Sequence, residues 1–451
     1  MTTVVSSRIE LKRLLSLMIP ILITQFAQAG LGLIDTIMAG RFSALDLAAI
    51  AVGVGIWIPV MLLFTGILLA TTPLVAEAVG AHNRHEIGHI VRQSLWMAGI
   101  LGFIALVLLQ FMPYLLPLFK VPEDLQPKAG LFLHAIGLGM PAVCLYTSLR
   151  CYSEAIGNPR PVTAISLLSL VILIPLNYLF MYGYGPIPRM GSAGCGFATA
   201  TLQWLMLFSL ILYISKAKIY QKDHIFAGFE KFNVLLAKRL LLLGFPIGLA
   251  IFFEVSVFST AAIILSTLGD TVVAAHQIAI SVTSQLFMLP MSLAIALTIR
   301  VGTYYGEKNL EAMRKVQKVG LMTATVMACL TMSFIALFRH QIISFYTQDQ
   351  HVAHIAVYLL QFCIAYQLMD AWQVSAAGCL RGMQDTKAPM WATMLAYWVI
   401  TLPLSIYWIR YASMGPQAVW ISLIIGLAVA CALLLSRLYF NNKKLAQKYK
   451  S

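Results

Sequence analysis

Twelve apolar runs of bilayer length, separated by short polar stretches, take up nearly all of the 451 residues, and no soluble fold can hide that pattern. The first six lie at roughly 14 to 38, 48 to 74, 92 to 118, 130 to 152, 162 to 184 and 194 to 215. The second six lie at roughly 240 to 266, 272 to 300, 317 to 338, 353 to 379, 389 to 410 and 417 to 440. At about 1.5 Å of rise per residue, each can cross ~30 Å of hydrocarbon as a helix. Lipid offers no hydrogen bonds to an open backbone, which leaves helices as the form for such runs. Only 11% of the residues are charged and 60% are hydrophobic, where soluble domains carry about 25% charged residues. The expected fold class is an all-α integral membrane protein with twelve transmembrane helices.

Charge supplies the orientation. A net charge of +14 raises the question of nucleic acid, but no basic run is dense and none is interleaved with aromatics on a compact module. The N-terminus, the even-to-odd loops and the C-terminus carry 25 of the 31 Lys and Arg residues. The opposite side carries six: Arg41, Lys120, Lys128, Arg189, Arg339 and Arg410. Cytoplasmic loops attract Lys and Arg, so the expectation is a multi-pass protein of the cell inner (plasma) membrane with both termini cytoplasmic. Residues 1 to 13 are polar and basic and no convincing cleavage site follows, so the first span is expected to stay in the mature protein. Of seven cysteines, Cys144, Cys151, Cys329, Cys363, Cys379 and Cys431 fall in apolar runs without metal-type spacing and read as small hydrophobes.

The two halves repeat one another. At an offset of 226, Leu14, Leu15, Leu17, Pro20 and Ile21 match Leu240, Leu241, Leu243, Pro246 and Ile247. Ala70, Thr72, Val75, Gly80 and Asn83 likewise match Ala296, Thr298, Val301, Gly306 and Asn309. Six spans return the chain to its starting side, so the repeats are parallel, an arrangement in which substrate sits between the halves. The expected domains are an N-terminal six-helix lobe (1–215), a cytoplasmic linker (216–239) and a C-terminal six-helix lobe (240–451).

Three acids lie inside apolar runs: Asp35 in span 1, Glu254 in span 7 and Asp370 in span 10. A charge at the bilayer centre costs at least about 2.5 to 3.5 kcal/mol, so such acids face a protein interior or a wet cavity. A carboxylate satisfied by a neighbouring hydroxyl or amide is the plain structural alternative. Their repeat counterparts are Ala261, Gln28 and roughly Val143, so the scaffold itself does not demand them. Spans 7 and 10 could bring Glu254 and Asp370 together, with Tyr366 one turn from Asp370 on the same face. Two carboxylates in a low-dielectric site cannot both stay bare, so a proton is retained or a cation is bound between them.

His85, Glu86 and His89 spell H-E-x-x-H, the zinc-and-base arrangement of many metalloproteases. They fall in the short loop between spans 2 and 3, their repeat counterpart is Glu311, Ala312 and Lys315, and no third ligand is evident. A polar interfacial turn is the preferred reading and a membrane-embedded zinc protease the remote one, so neither a metal site nor an enzyme is expected. The absence of G-x-x-x-x-G-K-[ST] argues against direct use of ATP. Methionines and aromatics could line a pocket for varied amphipathic ligands, although helix packing and lipid contact explain most of them. Pro20 and Pro246, at matched places in spans 1 and 7, are candidate gating kinks or fixed bends.

With these residues in view, the chain resembles the multidrug and toxic compound extrusion (MATE) transporters, specifically their NorM-like branch. The resemblance rests on Pro20 through Ile34-Asp35-Thr36 to Met38-Ala39-Gly40, on Ala274-Ala275-His276-Gln277-Ile278 and on Gly157-Asn158-Pro159-Arg160-Pro161. Pro175-Leu176-Asn177-Tyr178 and the stretch from Arg381 to Lys387 add to it, and together the motifs cover nearly the whole chain. The resemblance implies a V-shaped pair of six-helix lobes that exports organic cations and amphipathic drugs in exchange for Na+ or H+, with no further cofactor and as a monomer. It implies Glu254, Asp370, Tyr366 and Asp35 as coupling-ion residues, and Asp35, Asn177 and Gln28 as the substrate-binding set. It implies Na+ as the favoured ion, since the Glu254–Asp370 pair is typical of that branch's sodium-coupled members. A major-facilitator transporter is the nearest alternative, although Gly80-Ala81-His82-Asn83-Arg84 lacks the Asp usual in that family's loop.

Overall fold

The computed structural model describes residues 6–448 apart from 119, 227 and 229, and every regular element among them is helical. The first repeat comprises α1 (Ser7–Phe42), α2 (Ala44–Leu68), α3 (Thr71–Gly80), α4 (Arg84–Phe111), α5 (Gln126–Gly137), α6 (Met140–Ala155), α7 (Arg160–Asn177) and α8 (Ser192–Lys216). A short α9 (Lys218–Gln221) lies in the linker. The second repeat comprises α10 (Val234–Ser266), α11 (Asp270–Gly306), α12 (Leu310–Tyr346), α13 (Gln350–Gly382), α14 (Lys387–Thr393), α15 (Leu402–Arg410) and α16 (Gln417–Lys448).

Among the described residues, 11 helical stretches are long and apolar enough to span a membrane, and the pair α5 and α6, bent by 43°, makes a twelfth. The break has a local cause. Pro141, in the first turn of α6, has no N–H to continue the α5 ladder. Large apolar side chains such as Phe103, Val171, Ile263 and Leu337 stand 61 to 71% exposed along the helices, a surface suited to lipid and a liability in water.

The repeat read from the sequence reappears as local geometry. Asn83 caps α4 by accepting from Glu86 N, and Asn309 caps α12 by accepting from Ala312 N. The residues before them, His82 and Lys308, both take left-handed φ, 56° and 55°. The same turn is thus built twice.

Two compact units emerge, and their borders are not those expected from the linker. The first unit is Pro20–Gly248; the second joins the described residues of Met1–Ile19 and Leu249–Ser451. Each expected lobe therefore gives up the opening stretch of its first helix, and both borders fall beside the in-helix prolines Pro20 and Pro246. Buried polar contacts explain one exchange. Glu10 of α1 is fully buried, bound by Arg300 Nη2 at 3.0 Å and by the Tyr304 hydroxyl at 2.6 Å, both from α11. Close packing explains the other, since Gly244 of α10 lies against the Ile67 carbonyl with no room for a side chain. In the second unit α13 packs along α11, α12 and α16; in the first, α8 packs against α5, α6 and α7.

Candidate functional site

Each unit holds an acid inside its helices. In the first, Asp35 of α1 accepts from Asn177 Nδ2 at 2.7 Å and from the Thr199 hydroxyl at 3.0 Å. Asn177 closes α7 and Thr199 sits in α8, so three helices meet at one carboxylate, and both donors are buried. Directly after Asn177 the chain widens into a π-helical turn, Tyr178–Gly183, a distortion frequent at functional sites. That turn lets the Tyr182 hydroxyl donate to the Met38 carbonyl at 2.9 Å, one turn beyond Asp35 on α1. Asn177 and Asp35 are brought together as a pair, whereas Gln28, two turns earlier, reaches towards the Ser166 hydroxyl at 3.5 Å. The sequence reading did not single out Thr199.

The second unit's acids are Glu254 of α10 and Asp370 of α13, and Asp370 lies within reach of the Glu254 charge. Asp370 is 1% exposed, and neither of its carboxylate oxygens finds a hydrogen-bond partner among the described residues. Tyr366, one turn back on α13, lies buried within Coulombic reach of both acids. A further tyrosine joins them. Tyr397 lies in a second π-helical segment, Met394–Thr401, fully buried, its hydroxyl without a partner among the described residues and within electrostatic reach of Glu254 and Asp370. Arg381 is the cation that interacts electrostatically with Glu254. Trp420 of α16 meets Tyr366 edge-on at 6.0 Å and His276 at 5.8 Å between ring centroids. The Trp420 indole N–H and both His276 ring nitrogens are also buried and unpartnered among the described residues. Buried polar groups are nearly always hydrogen-bonded, so a cluster of orphans around two acids marks a place built for something besides packing.

Burial alone does not single these acids out. Five carboxylates among the described residues are almost wholly excluded from solvent: Glu10, Asp46, Glu154, Asp223 and Asp370. Four have a cation. Arg300 holds Glu10 at 3.0 Å, Lys128 holds Asp46 at 2.6 Å, Arg150 holds Glu154 at 2.8 Å and Arg84 holds Asp223 at 3.0 Å. Asp370 is the exception, and its want of a cation separates a site from a structural ion pair.

Two of the H-E-x-x-H residues, Glu86 and His89, have structural duties. Glu86 exchanges hydrogen bonds with the capping Asn83, and His89 is paired with Glu230 of the linker, which also takes Arg92 Nε at 2.5 Å. Partial burial pushes the Glu230 carboxyl up, but the hydrogen bonds and charges of Arg92 and His89 outweigh it and hold the group below its ordinary value. Among the described residues no set of three His, Cys, Asp or Glu side chains is placed to hold a metal ion.

Comparison with known proteins matches this geometry to a family. The MatE family profile fits the chain twice, at residues 20–179 and 246–407, and the two matches start at the same offset of 226 as the internal repeat. The probable multidrug resistance protein NorM of Acinetobacter baylyi is 68% identical over 448 residues, covering 99% of this chain and 100% of that protein. The multidrug resistance protein NorM of Vibrio cholerae serotype O1 is 38% identical over 440 residues, 96% of each chain. A crystal structure of a MATE protein in the bent conformation superposes with a TM-score of 0.90 at 19% identity, covering 98% of this chain and 97% of that one.

Proposed function

The chain belongs to the MatE family, and from that premise we propose that it is a multidrug efflux antiporter, a secondary transporter and not an enzyme, exchanging organic cations for Na+ or H+. Membership replaces the major-facilitator alternative. The names of its relatives, multidrug resistance proteins, support drugs as cargo.

One observation carries the ion-coupled reading: Asp370 is buried beside Glu254 with both oxygens free of partners among the described residues. An isolated buried carboxylate is costly, and a second one nearby raises the cost, so the site calls for a proton or a metal cation from one side of the membrane. Na+ is the favoured ion, because a hard cation prefers oxygen ligands and Tyr366 and Tyr397 add hydroxyls to the carboxylates. In the first unit Asp35, with Asn177 and Thr199 already bonded to it, takes the part of counter-charge to the organic cation. Ion binding in the second unit favours a conformation with poor drug affinity, and the ion gradient turns that difference into export. The borders beside Pro20 and Pro246 are where α1 and α10 would flex as the units move.

The distribution of 25 of 31 basic residues on one side supports an inner-membrane location with both termini cytoplasmic, and the chain is read as a monomer. Dye efflux from vesicles driven by a sodium gradient alone, then by a pH gradient alone, tests the proposal. At least one gradient should drive transport by itself. Efflux that ignores both gradients and requires ATP would remove the antiport reading.

A further inference from the structure

A groove of about 580 Å3 lies along α4 where the linker folds against it, apart from both acidic sites. Its floor is apolar, with Ile100 and Phe103 exposed on the outer face of α4. Gly99 cuts a notch there, since a Cβ at that position would meet nothing within 4 Å. The mouth is polar. Arg92 donates from Nε to Glu230 and from Nη1 to the His224 carbonyl at 2.9 Å, and the Trp96 indole donates to the Glu230 carbonyl at 2.9 Å. Arg92 Nη2 makes no bond among the described residues. The groove starts at one end of the span Arg84–Leu115, the depth at which tryptophan gathers in membrane proteins.

We propose that this groove binds one phospholipid of the phosphatidylethanolamine class. An acyl chain lies over Gly99, Ile100 and Phe103; the phosphate meets Arg92 Nη2 and the ammonium meets the Glu230 carboxylate. Charge complementarity selects the occupant. The mouth sets a cation and an anion side by side, the order in which this headgroup carries an anion and a cation, and guanidinium is a preferred phosphate donor. A phosphatidylglycerol would bring its phosphate to the same place with no ammonium for Glu230. The H-E-x-x-H segment thereby gains a role, since His89 steadies the carboxylate that receives the ammonium.

The test uses the full-length protein in vesicles containing phosphatidylethanolamine or phosphatidylglycerol brominated on one acyl chain, bromine quenching indole fluorescence on contact. Subtracting the Trp96→Phe variant isolates the Trp96 emission. Half-quenching is expected at a brominated phosphatidylethanolamine fraction at least about threefold lower than for phosphatidylglycerol, the selectivity a partly exposed ion pair can give. Gly99→Leu should remove that preference by filling the notch, and preserved dye efflux shows that the variant folds. Equal quenching by the two lipids, or a preference that survives Gly99→Leu in an active transporter, overturns the proposal.

Discussion

In the first unit Asp35 rests on two neutral donors supplied by α7 and α8, whereas in the second Asp370 has none among the described residues and shares its surroundings with another acid. A carboxylate that accepts an amide and a hydroxyl can keep its charge while a bulky cation approaches and leaves. A bare carboxylate beside a second one must bind its compensating charge whenever the site is dry. The two repeats share a scaffold and diverge in the chemistry placed on it. In the proposed function, that divergence gives the drug's counter-charge to the first unit and the coupling ion to the second.

The comparison breaks most sharply at Asp370. Asp370→Asn should cut gradient-driven efflux at least about tenfold while leaving energy-independent drug binding in place, because the uncharged amide needs no ion. Vesicle transport and equilibrium binding on the same preparation check both halves of that outcome. Next comes Asn177→Ala, which strips one of the two donors from Asp35. The loss of one hydrogen bond to a charged group, about 1.5 to 3 kcal/mol, should weaken drug affinity markedly with the sodium dependence kept. A change in sodium dependence instead would erase the division of labour. Smaller still is Tyr397→Phe, expected to weaken the apparent sodium affinity several-fold without moving drug affinity.

The smallest effect concerns the linker. Glu230 is held below its ordinary value, so its stabilising contact is complete above about pH 4.3, the unfolded-chain value. That contribution is lost as the pH falls through the lower folded-state value. The contact is 28% exposed on the Glu230 side, and screening limits it to about 1 kcal/mol. The protection of the linker amides, their exchange rate divided into the intrinsic rate at the same pH, should therefore fall below about pH 4 in the parent, and Glu230→Gln should show the lower protection already at pH 7.

Much of this was legible in one dimension. Apolar runs gave the spans, an offset of 226 gave the repeat that reappears in the Asn83 and Asn309 caps, and Asn177 was paired with Asp35 through the resemblance. Partners far apart in the chain were not legible. Glu10, Asp46 and Asp223 were not among the acids the sequence singled out, yet each is buried on a cation 82 to 290 residues away. Tyr397 escaped notice for another reason: a π-helical segment changes the face on which its residues emerge, so ordinary helical spacing does not lead to the acids. His276 and Trp420 stood in plain view as parts of apolar runs, and their lack of hydrogen-bond partners is a property of packing alone. The exchange of helix beginnings between units is equally invisible to hydropathy, because the runs containing Pro20 and Pro246 continue through the borders.

The most direct test measures the affinity of the purified transporter for a fluorescent organic cation while sodium is titrated at fixed pH and ionic strength, in the parent and in Asp370→Asn. The account predicts that sodium weakens binding in the parent and has no effect once Asp370 is neutral. Equal weakening in both proteins would show that the ion acts elsewhere, and the second unit's bare carboxylate would lose the role given to it.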